Sequence, residues 1–312
     1  MDFDHFEIVA PDPVFLRIGN FTIQWYAIFI LTGVILALLF AIWEGKKKKI
    51  SSDLLIELVV WGGLPVSILG ARLYFVLFNL ESYWQQPARI ITEFGRGLAI
   101  HGGIIAALLF SWWYLKRKKV PLLPVLDLVA MGFFIGQILG RFGNFMNQEA
   151  HGPVINAVNL DAQREFLTAL FIPEFIVNGM FINGNYHHPT FLYEALWNFV
   201  GLLIAAFILR RLPKILVGEI AAFYAIWYSF GRIFIESLRT DSLMLGPFRV
   251  AQVISIATIV AVVILVMYRR KNKKMLIPYG LFDLEAFSRE QLRGKKKAQS
   301  KSKQTNSKQK KN

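Results

Sequence analysis

The stretch PLLPVLDLVAMGFFIGQILGRFGNFMNQEAHG, residues 121–152, decides the fold, because a long apolar run ends there in a dense polar cluster. The polar end, GRFGNFMNQEAHG, combines glycines with an arginine, two asparagines, a glutamate and a histidine. Arg141 and Asn144 are three residues apart, so they share one face if the helix continues. An ordinary helix end with its cap and turn shows the same pattern. The rest of the chain has to separate these interpretations.

The composition indicates a membrane protein. Of the 312 residues, 55% are hydrophobic and 14% are aromatic. Several apolar runs reach roughly 20 residues, the length that crosses a bilayer as a helix. We therefore predict an all-α, multi-pass membrane fold with seven transmembrane helices. The predicted helices cover residues 21–43, 54–80, 98–115, 121–146, 189–209, 218–238 and 248–268.

Basic clusters set the predicted orientation. Each follows an odd-numbered segment, and they lie at residues 46–49, 116–119, 210–214 and 269–274. Cytoplasmic loops carry the excess of Lys and Arg. The N-terminus is therefore expected outside and the C-terminus in the cytoplasm, with the protein in the cytoplasmic (inner) membrane.

Two parts of the chain are predicted. Residues 1–270 form a membrane domain, with a small extracytoplasmic insert at about residues 147–188. Residues 271–312 form a basic, largely disordered cytoplasmic tail, and the residues from 269 onward carry a net +12 of the chain's +14. We expect anionic lipids, not nucleic acid, to attract this tail. The acidic first 20 residues do not resemble a cleavable signal peptide, so the first helix should direct insertion.

Several classes of site are disfavoured. The chain has no cysteine, which excludes disulfides and thiolate metal ligands. It also lacks the HExxH spacing of zinc sites, the GxSxG elbow of serine hydrolases and the phosphate loop of NTPases. We expect neither a metal nor a cofactor.

The predicted topology gathers the unusual polar residues near the outer interface. They are Tyr26, His101, Arg141, Asn144, Asn147, Glu149, His187, His188, Glu194, Arg232, Glu236 and Arg239. Charged groups in membrane segments are costly and indicate a functional site.

A phospholipid headgroup is the ligand that these residues favour. Arg141 and Arg232 come from different helices and have too few carboxylates nearby for full pairing, and an arginine fork binds phosphate bidentately. Snorkelling without a ligand is the competing interpretation for Arg141. Glu236 lies four residues after Arg232, so it is either a structural ion-pair partner or a functional group. His101, followed by two glycines, is either a proton carrier or a structural histidine.

Six blocks together resemble the prolipoprotein diacylglyceryl transferases of bacteria. GRFGNFMNQEAHG at residue 140 is the signature. The other blocks are WYAIFI at 25, GARLYFVLFN at 70, HGGIIAALL at 101, HPTFLYEALWNF at 188 and GRIFIESLRTDSL at 231. The resemblance runs from about residue 20 to 270. Phe191 stands where many members have glutamine and Ala106 where many have glycine, which weakens any role for these two positions.

The resemblance implies an activity. Such enzymes transfer the sn-1,2-diacylglyceryl group of phosphatidylglycerol to the lipobox cysteine of a preprolipoprotein, forming a thioether and releasing glycerol phosphate. The implied catalytic residues are His101, Arg232, Glu236 and Tyr26. The expected phosphatidylglycerol-binding residues are Arg141, Asn144, Arg232, Arg239, Asn147 and Glu149.

Two alternatives stay open. The substrate thiol is deprotonated either by His101 or through a thiol pKa lowered by the arginines. A transporter or flippase could use the same arginines for a lipid or an anionic solute. That class predicts charges near the bilayer midplane, whereas here they cluster toward one side.

Overall fold

The computed structural model describes residues 10–19, 21–94, 97–239, 242–272 and 276–293. The chain divides into two compact units. The first unit comprises Met1–Phe40 and Leu126–Gly280, and the second unit comprises Ala41–Val125 and Leu281–Asn312.

Helices dominate the described residues. In chain order they are α1 (Trp25–Lys47), α2 (Ser52–Ile56), α3 (Leu64–Phe78), α4 (Leu80–Trp84), α5 (Arg89–Thr92), α6 (Ile100–Lys118), α7 (Leu122–Met146), α8 (Leu160–Ala169), α9 (Glu174–Gly179), α10 (Thr190–Leu203), α11 (Glu219–Ser237) and α12 (Val250–Lys271). A π-helical turn, Glu57–Gly63, joins α2 to α3, and another, Ile204–Ile208, extends α10. Residues 284–293 are also helical.

Within the described ranges, five helices are long and apolar enough to cross a membrane. They are Trp25–Lys47, Ser52–Phe78, Leu122–Met146, Thr190–Arg211 and Val250–Lys271. The prediction of an all-helical membrane fold is confirmed at this level. The two other predicted spans coincide with α6 and α11, which are 19 residues each and carry charged side chains. The count of seven spans stays a prediction.

Short antiparallel hairpins precede three of the helices. β1 (Val14–Ile18) and β2 (Phe21–Gln24) lead into α1. β3 (Phe181–Ile182) and β4 (Asn185–Tyr186) come shortly before α10, and β5 (Met244–Leu245) and β6 (Phe248–Arg249) lead into α12. Each hairpin turns the chain back just before a long helix begins.

The predicted insert shares one apolar core with the helix ends that flank it. Its buried apolar residues pack with Phe145 near the end of α7 and Phe191 near the start of α10. The insert's contribution is Ile155, Leu167, Ile172, Ile176, Val177, Met180, Ile182 and Tyr186. Because one cluster includes both helix ends, burial of apolar surface holds α7 and α10 to the insert.

Small residues bring α1 and α7 of the first unit together. A Cβ added at Gly33 would lie 3.2 Å from Cα of Gly136, and one added at Gly132 would lie 3.1 Å from Cβ of Ala37. Glycine and alanine allow this approach of two membrane helices, whose association depends on close packing.

A reciprocal tryptophan clasp joins α10 to α11. The rings of Trp197 and Trp227 stack with centroids 4.3 Å apart. Each indole Nε1 donates a 2.9 Å hydrogen bond to the backbone carbonyl of the other tryptophan. Each ring also lies against a glycine of the opposite helix, Trp197 against Gly231 and Trp227 against Gly201.

Asp127 links α7 to the start of α11. Its fully buried carboxylate accepts hydrogen bonds from the backbone N–H groups of Gly218 at 2.6 Å and Ala221 at 2.9 Å. These N–H groups at the helix start have no intrahelical partner, so a carboxylate from another helix caps them. The contact fixes the position of α11 along α7.

The second unit is built on a close approach of α3 and α6. A Cβ at Gly102 would lie 2.3 Å from the carbonyl oxygen of Gly70. Buried Arg72 donates hydrogen bonds to three backbone carbonyls, those of Arg89 (3.0 Å), Ile90 (3.0 Å) and Gly97 (3.1 Å). Arg72 therefore fixes the segment that leads into α6.

We predict that the tryptophan clasp stabilises the fold. In Gly231→Ala, the new methyl group would lie 2.3 Å from Nε1 of Trp197, so we expect a loss of about 1–3 kcal/mol. Gly136→Ala is the matched control: nothing lies within 4 Å of its added Cβ, and helix propensity favours alanine by about 0.5–1 kcal/mol. Thermal midpoints in detergent should fall for the first variant and hold or rise for the second. Equal losses would contradict the clasp's role.

Candidate active site

One carboxylate connects the two arginines that the sequence singled out. Glu194, on the first turns of α10, has its Oε1 2.7 Å from Nη2 of Arg141 on α7. Its Oε2 accepts a 3.2 Å hydrogen bond from Nη1 of Arg232 on α11. The Glu194 side chain is only 3% exposed, so both contacts lie in a region of low dielectric constant. Three helices therefore meet at Glu194.

Glu236 completes a group of four ionised side chains, which we call the ionic quartet: Arg141, Glu194, Arg232 and Glu236. Oε2 of Glu236 lies 2.6 Å from Nη2 of Arg232, and its side chain is 3% exposed. The quartet contains two positive and two negative groups, so its formal charge is zero. The two carboxylates are buried and the two arginines are partly buried, which is tolerable because each charge has an opposite charge beside it.

The quartet corrects one expectation. The sequence suggested that Arg141 and Arg232 lack enough carboxylates for full pairing, and this is wrong because Glu194 contacts both. A carboxylate within an otherwise apolar helix was the available signal. The sequence places Glu194 among the outer polar residues but assigns it no role, since spacing relates it only to its own helix.

The signature loop extends the quartet through a chain of hydrogen bonds. Nη1 of Arg141 donates to Oδ1 of Asn144 at 3.2 Å. Nδ2 of Asn144 donates to Oε1 of Glu149 at 3.0 Å, and Asn147 reaches the same oxygen at 3.3 Å. The structure thus brings together four predicted residues of the signature, with Asn144 oriented by groups on both sides.

The backbone of the loop is held against the chain that enters α10. Gln148 and Ala150 have positive φ angles of 50° and 58°, a backbone conformation that residues other than glycine rarely adopt. The Ala150 carbonyl accepts a 2.6 Å hydrogen bond from Oγ1 of Thr190, and Gly152 donates its N–H to the His188 carbonyl at 2.9 Å. These bonds place the signature loop beside the first turn of α10, four residues before Glu194.

Histidines line this junction. Nδ1 of His187 and Nδ1 of His151 both lie near the Gly152 carbonyl oxygen, at 2.8 and 3.0 Å. Nδ1 of His188 lies 3.3 Å from the Tyr193 hydroxyl. Among the described residues, no group of three or more His, Asp or Glu side chains could hold a metal ion.

The three other predicted site residues have different surroundings. The ring of Tyr26 occupies the space that Gly143 leaves, since a Cβ there would lie 2.6 Å from the ring. Arg239 follows α11, and its backbone N–H donates to the Glu236 carbonyl at 3.2 Å. His101 lies at the start of α6 in the second unit, where its ring centroid is 6.2 Å from that of Tyr74.

Comparison with known proteins identifies the family. The sequence model of the prolipoprotein diacylglyceryl transferases matches residues 13–268. The chain belongs to this family. It is 43% identical over 272 residues to the phosphatidylglycerol–prolipoprotein diacylglyceryl transferase of Listeria innocua. The aligned region covers 87% of this chain and 94% of that relative. The enzyme of the same name from Bacillus cytotoxicus is 46% identical over 261 residues, covering 84% and 93% of the two chains.

The family match includes every site residue that the sequence predicts. The quartet, the signature loop, Tyr26, His101 and Arg239 all lie within residues 13–268 of this diacylglyceryl transferase family member. The basic tail lies outside the match.

His188 gives this family member a pH dependence. Burial lowers the pKa of its imidazole below the ordinary 6.5, and the neighbouring His187 lowers it further. As the pH falls, the unfolded chain binds the proton first, so the stability from His188 is present above about pH 6.5 and is lost below it.

We therefore expect His188→Gln to weaken the pH dependence of folding. The difference in thermal midpoint between pH 7.5 and 5.5 should be smaller in the variant than in the wild type. An unchanged difference would show that His188 does not contribute to it.

Proposed function

We propose that this protein transfers the sn-1,2-diacylglyceryl group of phosphatidylglycerol to the lipobox cysteine of a preprolipoprotein, the first step of lipoprotein maturation. A thioether forms, and glycerol phosphate leaves. The observation that carries the proposal is the meeting of Arg141 and Arg232 at Glu194 in a chain of this family. Both relatives compared above are named for this transfer.

The proposed setting is the cell membrane. The chain crosses it seven times, with α6 and α11 as the two spans beyond the five apolar helices. The N-terminus and the insert lie outside, and the basic tail lies in the cytoplasm against anionic lipids. The basic clusters after alternate helices support this orientation, which places the quartet toward the outer leaflet.

In the proposed reaction, Arg141 and Arg232 hold the lipid phosphate. Each guanidinium has five N–H donors. The quartet and Asn144 engage only two nitrogen atoms of each arginine, so donors remain for the phosphate. The cysteine sulfur attacks the glycerol carbon that carries the phosphate ester. The carbon–oxygen bond breaks, and its electron pair leaves with glycerol phosphate. The arginines stabilise this developing negative charge.

Two routes for activating the thiol stay open. His101 accepts the proton in the first route, whereas in the second the arginines lower the thiol pKa and solvent takes the proton. In either route Tyr26 and Glu236 also act in catalysis, and Asn147, Glu149 and Arg239 help to bind the lipid.

The proposed binding of the lipid phosphate by Arg141 and Arg232 is tested with Arg141→Lys. Lysine keeps the positive charge but loses the planar fork, so we expect turnover to fall by about 100-fold or more with folding retained. The assay combines purified protein, phosphatidylglycerol vesicles and a lipobox peptide, and measures released glycerol phosphate. Arg289→Lys, at a 74% exposed side chain, is the control and should match the wild type. Near-normal turnover of Arg141→Lys would exclude phosphate binding by the Arg141 guanidinium.

The proton route is tested with His101→Gln. If His101 is the base, turnover falls by roughly 100-fold or more at pH 7 and recovers at higher pH, where the thiol ionises unaided. If the arginines activate the thiol, turnover changes by only a few-fold at both pH values. Rates between pH 6 and 9 decide between the two routes.

The activity itself is tested with the wild type in the same assay. Glycerol phosphate release, together with a diacylglyceryl mass gain on the peptide cysteine, is the expected result. Movement of labelled phosphatidylglycerol between leaflets without either product would favour the transporter instead.

A further inference from the structure

The last turn of α11 carries part of the ionic quartet and is held by groups outside the helix. Glu236 lies in this turn, since α11 ends at Ser237. Its carboxylate is 2.6 Å from Nη2 of Arg232, whereas its backbone carbonyl accepts hydrogen bonds from the chain that leads to α12. The last carbonyls of a helix have no partner within the helix. The position of Glu236 therefore depends on donors that follow α11.

Three donors from the described residues converge on the Glu236 carbonyl oxygen. The backbone N–H of Arg239 donates at 3.2 Å, and Oγ of Ser242 donates at 3.3 Å. Nη1 of Arg249 donates to the same oxygen. Arg249 supplies the charged donor of the three, and a cation at the C-terminal end of a helix is favoured by the helix dipole. Without Arg249, two neutral hydrogen bonds longer than 3 Å would remain.

The backbone of Arg249 is anchored on its own side of the contact. Arg249 pairs with Met244 in the hairpin of β5 and β6. The next N–H, that of Val250, donates to the Leu243 carbonyl at 3.0 Å. Among the described residues, the Glu236 carbonyl is the one acceptor that the Arg249 side chain contacts, and no carboxylate forms an ion pair with it. The side chain thus links the hairpin to the end of α11.

We propose that Arg249 is a positioning residue. By holding the Glu236 carbonyl, it keeps the Glu236 carboxylate on Arg232 and so orients that guanidinium for the lipid phosphate. This inference rests on the proposed function, which places the phosphate on Arg232. The effect of Arg249 on the reaction runs through Glu236 and needs no contact with the substrate.

A second contact limits how far the loss of Arg249 spreads. Nε2 of Gln252, on the first turn of α12, donates to the Ile233 carbonyl of α11 at 2.8 Å. This bond joins the two helices one turn before Glu236, and it stays in place when Arg249 is replaced. Removal of Arg249 should therefore loosen the last turn of α11 without separating α11 from α12.

The first arm of the test replaces Arg249 and measures transfer from phosphatidylglycerol vesicles to a lipobox peptide. Methionine has no N–H donor in its side chain, whereas lysine restores a cationic donor. We expect kcat/KM to fall by at least about tenfold in Arg249→Met and to return to within about threefold of the wild type in Arg249→Lys. Arg289→Met is the matched control: it makes the same change at a 74% exposed side chain and should match the wild type.

The second arm determines whether Arg249 acts through the Glu236 carboxylate. Glu236→Gln keeps the backbone carbonyl that Arg249 contacts but removes the carboxylate that Arg249 positions. In this background, Arg249→Met should lower the rate by less than about twofold further, because the positioned interaction is already absent. A merely structural defect would multiply the two losses. Single-turnover rates, with enzyme in excess over peptide, keep the slow variants measurable.

The third arm needs no activity. Amide hydrogen exchange, followed by mass spectrometry, reports local opening of a helix end. Residues 233–239 should exchange faster in Arg249→Met than in the wild type and slow again in Arg249→Lys, whereas residues 219–230 should not change. Ser242→Ala removes a weaker donor from the same carbonyl and should show a smaller effect in the same direction. It keeps the test available if Arg249→Met does not fold.

The outcomes separate this inference from the proposed function. Wild-type turnover in Arg249→Met, multiplied losses in the double variant, or unchanged exchange of residues 233–239 would each overturn the positioning role and leave the transferase activity intact. A wild type that modifies no peptide would overturn the proposed function and, with it, any role of Arg249 in transfer. The exchange measurement then still decides whether Arg249 holds the end of α11.

Discussion

The contact of Glu194 with Arg141 and Arg232 is the interaction on which the rest of the site depends. Two guanidinium groups in a largely apolar helix bundle are tolerable only if a carboxylate reaches both. Because the three side chains belong to α7, α10 and α11, their ionic contacts require these helices to keep one relative position. These contacts and the hydrogen bond to Asn144 engage only two nitrogen atoms of each arginine, so each guanidinium keeps further N–H donors.

Contacts elsewhere in the first unit maintain that position. Asp127 fixes the start of α11 against α7, and the tryptophan clasp fixes α10 against α11. The insert shares one apolar cluster with the ends of α7 and α10. An apolar cluster, a helix cap and a pair of stacked rings thus act together on three helices. The ionic contacts do not have to hold the helices by themselves.

The long helices can be located from the sequence because an apolar run of about 20 residues bounded by charges is compatible with few structures other than a helix. The segment predicted at 121–146 corresponds to α7, and the contact of Arg232 with Glu236 follows from their spacing on one helix. The contacts of Glu194 could not be predicted because its partners are distant in sequence, where periodicity carries no information. The positive φ angles of Gln148 and Ala150 could not be predicted from the sequence either, because tertiary hydrogen bonds maintain this part of the loop. Apolarity did not settle whether α6 and α11 span, because both carry charges.

The tryptophan clasp also limits how a lipid can reach the quartet. Each helix contributes both an indole and the glycine on which the other indole rests, in the order Trp–three residues–Gly on α10 and on α11. Parting these two helices would break two hydrogen bonds and one ring stack at once. The clasp therefore opposes separation of α10 and α11, and a lipid that approaches the quartet is expected to do so by another route.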